Sequence, residues 1–335
     1  MIPVKFKPIP VPRIWGGHKL KPQFHTETEQ AIGEYWVLSG HPNGTSIVSD
    51  GPYCGRSLND LLTAYPEAFL GISPQPRFPL LIKYLEASRN LSVQVHPDDH
   101  YAKAHEEDFG KTEAWYILDT SHHNQVCLGH DFTSRTEFET AIARGELSSH
   151  LKFQNIARGD TVFVPAGMLH ALLSGTTVIE VQQTSDVTYR VYDWNRLDNH
   201  GKPRALHLSS ATEVLDFSQN ANPHHLAQSV LPNIGTDFSR RRISCPFFSI
   251  DEVILNSPNE YDIHHTETRQ LQLGHKGNPD VLICVSGSIK IPFTTESGET
   301  TRLSLSPGEV GLIPATSEFY EINYKTSSVL LRVYY

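Results

Sequence analysis

Apolar and polar side chains alternate at strand spacing through Leu91-Ser92-Val93-Gln94-Val95-His96, and Pro97 ends the run. Side chains two apart on a strand share a face. Leu91, Val93 and Val95 are therefore predicted to fill a core while Ser92, Gln94 and His96 point together to the other side. Burying three polar groups costs about 1 to 3 kcal/mol each unless they are paired, so the pattern predicts a metal, a ligand or a polar network on that face. Similar short runs recur at residues 35–39, 80–84, 114–118, 161–164, 178–182 and 187–192, separated by turns rich in Gly, Pro and Asn. This predicts a mainly β chain. Helical pattern is confined to about 57–70, 98–107 and 134–152, and Ser57 with Asp60 three residues on marks the start of the first. These helices fall between strands and read as an insertion on a β core.

The chain also repeats itself. Gly159-Asp160, four residues, then Pro165-Ala166 has the same order as Gly308-Glu309, four residues, then Pro314-Ala315, so the two halves read as copies of one β module. A polar stretch at 216–236 separates them, giving an expected catalytic, metal-binding domain at 1–235 and a second domain at 236–335. The copies differ in chemistry. Pro165 is followed five residues later by His170, whereas Pro314 is followed at that distance by Phe319. The first copy can hold a metal and the second lacks that ligand. Gly-acid before a strand and Pro-Ala after it resemble the cupin barrel, an antiparallel jelly roll whose mouth holds a metal. The expected fold is two cupin-type jelly-roll β-barrels, the first with the small helical insertion.

Lys111 and Glu113 share a face where Gly110-Lys111-Thr112-Glu113-Ala114 leads into a strand. With His96, His170 and the Gln94 amide, Glu113 completes a donor set for one divalent ion, leaving a position open for water or substrate. If 186–190 is unbroken strand, Asp186, Thr188 and Arg190 also share a face. Arg190 is then either half of a structural ion pair with Asp186 or a fixed cation opposite the metal, where charge develops on a bound oxyanion. Composition narrows the partners. The net charge is -9, from 28 Lys+Arg against 37 Asp+Glu, with no basic run, which argues against a nucleic-acid or anionic-membrane surface. The first residues lack a signal-peptide core and no apolar run approaches the roughly 20 residues of a membrane helix, so a cytoplasmic protein is expected. Cys54, Cys127, Cys245 and Cys284 are far apart and read as reduced, non-ligating thiols.

The runs 91–99, 110–118, 164–172 and 185–196, with Trp15-Gly16-Gly17 and Gly33-Glu34-Tyr35-Trp36, resemble those of the type I mannose-6-phosphate isomerases, particularly the short bacterial form. The likeness is nearly continuous from about residue 13 to 210; beyond it only the second cupin copy is recognisable. The resemblance implies one zinc ion per chain held by Gln94, His96, Glu113 and His170, and a catalytic Arg190. It implies Lys111 and Asp186 near the reacting carbons, and Lys83 and Ser92 on the substrate phosphate. Read by itself, Lys83 in Leu80-Leu81-Ile82-Lys83-Tyr84 could simply snorkel from a strand edge. The implied reaction is aldose-ketose isomerisation between mannose 6-phosphate and fructose 6-phosphate through a cis-enediol, with Lys111 or Asp186 as the base. The implied partner is a small-molecule sugar phosphate, bound by a monomer or homodimer. Two alternatives stay open. Two histidines and a glutamate also form the facial triad of an iron-dependent cupin oxygenase, against which a Gln94 ligand argues. The other alternative is a non-catalytic sugar-phosphate-binding cupin protein.

Overall fold

A computed structural model describes residues 1–73, 75–120, 124–198, 201–218, 226–228, 238–257, 266–295 and 298–335. The expected domain division at 235/236 lies outside these residues, as does most of the polar stretch before it. Among them the chain forms four antiparallel sheets. The sheet that organises the molecule has the spatial order Leu226–Ala227, Thr161–Val164, Glu113–Thr120, Thr176–Gln183, Leu80–Ala87, Ile32–Ser39, Ile9–Gly17. Every residue of Leu80–Ala87 and Thr176–Gln183 is buried, because both faces of the sheet are covered.

One face presents Ile82, Tyr84, Tyr116 and Ile179 to Ile250, Val281, Leu312 and Leu331 from the C-terminal part of the chain. The other presents Leu85, Trp115, Ile117 and Val178 to Val126, Leu128 and Leu172. These last three belong to a five-stranded sheet ordered Tyr189–Tyr192, Val93–Val95, His170–Leu172, Gln125–His130, Leu151–Asn155. Its outer face is covered by helices Arg135–Arg144 and Leu208–Val214, where Val93, Val95 and Ala171 meet Phe138 and Ala211. Each such fully buried Val, Leu or Phe stabilises the fold by about 1.5 to 3 kcal/mol. Leu91 departs from its expected place. It packs inward with Leu85 and Trp115, because the strand begins only at Val93, and the carbonyls of Asn90 and Leu91 are taken by the side chains of Arg196 and Trp194. Helix Leu58–Ala64 starts on the reciprocal cap between Ser57 and Asp60.

The C-terminal part forms a seven-stranded sheet, Phe238–Ser244, Ser249–Leu255, Ser328–Tyr334, Asp280–Ser286, Val310–Ile313, Val4–Lys7, Ile47–Val48, backed by a four-stranded one. The sequence repeat has a structural counterpart. Gly159 N–H donates to Ile117 O and Ile117 N–H to Asp160 O; Gly308 N–H likewise donates to Cys284 O and Cys284 N–H to Glu309 O. Both glycines sit at positive φ, where a side chain would be strained.

The expectation of two closed jelly-roll barrels is not met. Among the described residues each sheet is open and ends on two edge strands. Closure depends on edges finding partners, and here the edges are blunted. Ile9–Gly17 carries Pro10 and Pro12, which have no N–H to offer a further strand, while Leu226–Ala227 and Ile47–Val48 are only two residues long. Among the described residues no helix is long and apolar enough to cross a membrane. The four cysteines are unpaired thiols.

Candidate metal centre

The facing polar groups of the two stacked sheets meet in one place. In the five-stranded sheet Gln94 is registered between His170 on one side and Arg190 on the other. His96 follows just past the end of Val93–Val95. From the opposite sheet, Glu113 stands at the start of its strand between Val164 and Gln182. His96, Glu113 and His170 are all buried, and their ligating atoms lie within 4.8 Å of one another.

Hydrogen bonds fix which atoms face inward. His96 Nδ1 donates to Val187 O and His170 Nδ1 to Met168 O, each at 2.8 Å. That leaves both Nε2 lone pairs directed at Glu113, 3.5 Å from Oε2 and 3.4 Å from Oε1 respectively. Outer carbonyls that set the tautomer in this way are the usual partners of metal-binding imidazoles. Trp115 Nε1 donates to Glu113 Oε1 at 3.0 Å and fixes that carboxylate. The Gln94 amide lies 3.4 Å from His170 Nε2, and half a turn about its last bond presents its oxygen there.

This set fits a divalent metal. Tetrahedral bonds of about 2.0 to 2.1 Å put ligand atoms about 3.3 to 3.4 Å apart, close to the separations found. His96 Nε2 is buried and makes no hydrogen bond, which is costly unless something else occupies it. Burial, with help from Lys111 and His170, holds the His96 pKa well below its ordinary value, and burial pushes His170 down to about 4. Both imidazoles are thus neutral and able to ligate at pH 7.

The same burial predicts acid sensitivity of the metal-free chain. The unfolded state protonates these histidines below about pH 6.5, while folded His170 does so only near 4. Stability is therefore lost as pH falls through that window, approaching about 1.4 kcal/mol per pH unit for each histidine. Urea unfolding of the chelated protein between pH 7.5 and 4.5 measures this, and His170→Asn should remove its share of the slope. An equal slope in the variant would mean that His170 is freely protonated in the folded state.

The centre opens into a cavity of about 330 Å³ whose wall includes Lys83, Ser92, Gln94, Lys111, Asp186 and Arg190. All of these were singled out in the sequence. A larger depression, about 690 Å³, lies on the four-stranded sheet around Lys290 and Arg302, but among the described residues no three grouped ligand side chains accompany it. Lys111 Nζ is 3.0 Å from Glu113 Oε2; burial works against its charge, but Glu113 and Glu180 outweigh burial and raise its pKa. Lys83 Nζ lies 3.3 Å from Glu180 and 3.9 Å from Glu34, with its ammonium over Trp36. It is not a snorkelling edge residue. Asp186 accepts from Asn43 Nδ2 at 3.3 Å and makes no ion pair with Arg190. Arg190 Nη1 donates to Ala205 O at 2.8 Å, and its buried Nε has no partner.

Three participants escape sequence reasoning. Glu180 is paired in register with both Lys83 and Trp115, and burial and the nearby Glu113 raise its pKa. Glu34 accepts from Arg13 and Trp36; against the pull of burial, Lys83 and Arg13 hold it down to about 2. Arg13 itself lines the cavity. The available signal was a carboxylate in the middle of an otherwise buried strand, in Val178-Ile179-Glu180-Val181 and again in Gly33-Glu34-Tyr35.

Residues 12–138 match the family model described as phosphomannose isomerase type I, catalytic domain. The mannose-6-phosphate isomerase ManA of Bacillus subtilis (strain 168) is 40% identical over 249 residues, 74% of this chain and 78% of that protein. The crystal structure of a mannose 6-phosphate isomerase from Bacillus subtilis covers 100% of both chains at 31% identity and a TM-score of 0.81. A mannose 6-phosphate isomerase bound with zinc and yttrium, 17% identical, covers 100% of this chain and 99% of its own with a TM-score of 0.72 and so shares the fold.

Proposed function

The chain belongs to the type I mannose-6-phosphate isomerases, and on that premise we propose how its residues divide the work of interconverting mannose 6-phosphate and fructose 6-phosphate. Membership sets aside the oxygenase and non-catalytic readings. The observation that carries the assignment is the buried trio of His96, Glu113 and His170, with His96 Nε2 left without a hydrogen bond, at the base of a cavity lined by fixed cations. In this proposal zinc is held by these three residues and the Gln94 oxygen. Bound there, it supplies a Lewis acid for negative charge developing on the substrate oxygens.

Isomerisation moves a proton between C1 and C2 and passes through an enediol whose oxygens carry growing negative charge. Arg190 stabilises that charge from across the cavity; its guanidinium is anchored on Ala205 O, with Nε left over. Lys111 and Asp186 are the proton-transfer candidates. Lys111 owes its raised pKa to Glu113 and Glu180. With Glu113 engaged as a ligand, its hold on the ammonium would weaken and burial would count for more against the charge, which is the direction a proton-accepting lysine needs. Asp186 is the carboxylate alternative, held by Asn43. All of these residues fall within 1–235, and the C-terminal copy, with Phe319 where the first has His170, serves as scaffold. A phosphorylated sugar as substrate accords with a cytoplasmic enzyme.

Lys83 and Ser92 are assigned to the substrate phosphate. A hydrogen bond to a charged group is worth about 1.5 to 3 kcal/mol, so Lys83→Gln should raise KM for mannose 6-phosphate by about 10- to 100-fold. The fall in kcat should be smaller. Steady-state kinetics with mannose 6-phosphate, and inorganic phosphate as a competitor, decide this. A drop in kcat at unchanged KM would place Lys83 at the reacting carbons instead.

A further inference from the structure

We propose that Asp193 is a positioning residue for Arg190, acting through Arg204 and the backbone of residues 205–207; the proposal rests on the assignment of Arg190 above. Asp193 is buried immediately after strand Tyr189–Tyr192. Its carboxylate accepts two bonds from Arg204, Nε at 2.8 Å and Nη2 at 2.5 Å, and a third from Arg196 Nη2 at 2.5 Å. Paired bonds to a guanidinium set direction as well as distance.

Arg204 leads straight into the segment that brackets Arg190. Ala205 O accepts from Arg190 Nη1 at 2.8 Å, His207 N–H donates to Arg190 O at 2.8 Å, and Arg190 N–H donates to His207 Nδ1 at 3.0 Å. The guanidinium and both backbone groups of Arg190 thus depend on a loop whose first residue is clamped by Asp193. The second branch runs the other way. Arg196 Nη1 donates to Asn90 O at 2.9 Å, and Trp194 Nε1 donates to Leu91 O at 2.6 Å. Those two residues lead directly into Ser92 and Gln94, so one carboxylate joins the support of the cationic wall to the support of the ligand strand.

Two further observations point the same way. Trp194 and Asn195 both lie at positive φ, 57° and 53°, a conformation that residues other than glycine hold only when their surroundings over-determine it. The bonds from Asp193, Trp194 and Arg196 do so. Asp193 is also the carboxylate that faces three guanidinium groups. Burial lowers the Arg190 pKa, Arg204 and Arg196 lower it further, and Asp193 opposes them. Asparagine at 193 would keep the shape, lose the charge, and leave one oxygen to serve two arginines.

The test uses zinc-loaded Asp193→Asn, Asp193→Glu, and Asp193→Asn combined with Arg190→Lys, each measured for kcat, KM and bound zinc. Displacing a charge-stabilising group by about 1 Å costs about 100-fold, so Asp193→Asn should lower kcat by about 10- to 100-fold with KM changed by less than about threefold. Zinc should stay at one per chain, and Asp193→Glu should recover part of the loss. Groups acting as a unit are not additive, so in the Arg190→Lys background the same change should cost less than about threefold. Wild-type kcat per zinc-loaded chain in Asp193→Asn, even with a lowered melting temperature, overturns the proposal. So does an undiminished loss in the Arg190→Lys background, and both results leave the Arg190 assignment standing. Full turnover by Arg190→Lys overturns that assignment and the proposal with it.

Discussion

Arg190→Ala is expected to lower kcat by at least about 10² to 10³-fold, the effect of removing one preorganised donor to a developing oxyanion, while bound zinc stays near one per chain. The two outcomes separate because the bonds that fix His96, Glu113 and His170 do not run through the Arg190 side chain. Arg190 sits on the edge strand of the five-stranded sheet and is anchored by Ala205 and His207. Glu113 comes from the opposite sheet, and His96 and His170 are fixed by Val187 and Met168 carbonyls. Nothing in that set bonds to the guanidinium. Arg190 Nε is buried without a hydrogen-bond partner, as are those of Arg196 and Arg332; what sets Arg190 apart is its place on the wall of the cavity beside Gln94 and His170. The variant is checked by steady-state kinetics with metal analysis on the same sample. Loss of metal along with turnover would make Arg190 structural.

Much of this centre was legible because its key residues follow a local rule. Gln94 and His96 stand two apart, so strand periodicity alone puts them on one face, and His170 is flagged by the turn that the C-terminal copy repeats without a histidine. Lys111 and Glu113 obey the same spacing at the start of the next strand. What stayed hidden depends on register between distant segments. Glu180 matters because it pairs with Lys83 and Trp115, 97 and 65 residues away; a carboxylate between Ile179 and Val181 flags the residue but not those partners. Leu91 was placed on the wrong side because a period of two persists only while the strand does, and side-chain bonds from Trp194 and Arg196 delay its start to Val93. The closed barrels failed for a related reason. Alternation predicts strands but not how their edges end, and Pro10 and Pro12 on Ile9–Gly17 were the local clue to an open edge. The N-terminal strand Val4–Lys7 joins the C-terminal sheet beside Val310–Ile313, a pairing with no signal in either segment.

Taking away the metal should have the largest effect of all. In His96→Ala the imidazole that faces Glu113 at 3.5 Å is gone, and one of four proposed donors with it. The remaining set lacks a neutral nitrogen donor that a Zn2+ site relies on, so bound zinc should fall to a small fraction per chain and turnover to background. Part of any accompanying loss of stability comes from Val187 O, which loses its donor; a melting curve separates that from loss of metal. Retained zinc and turnover would remove His96 from the ligand set. The central claim, that this chain is a zinc-dependent isomerase of mannose 6-phosphate, is tested most directly on the unmodified protein. Conversion of mannose 6-phosphate to fructose 6-phosphate is followed in a coupled assay on the protein as purified, after chelation, and after zinc is restored. Activity should disappear with the metal and return with zinc; undiminished conversion by protein shown to be metal-free, or a zinc-loaded chain that converts nothing, would contradict the claim.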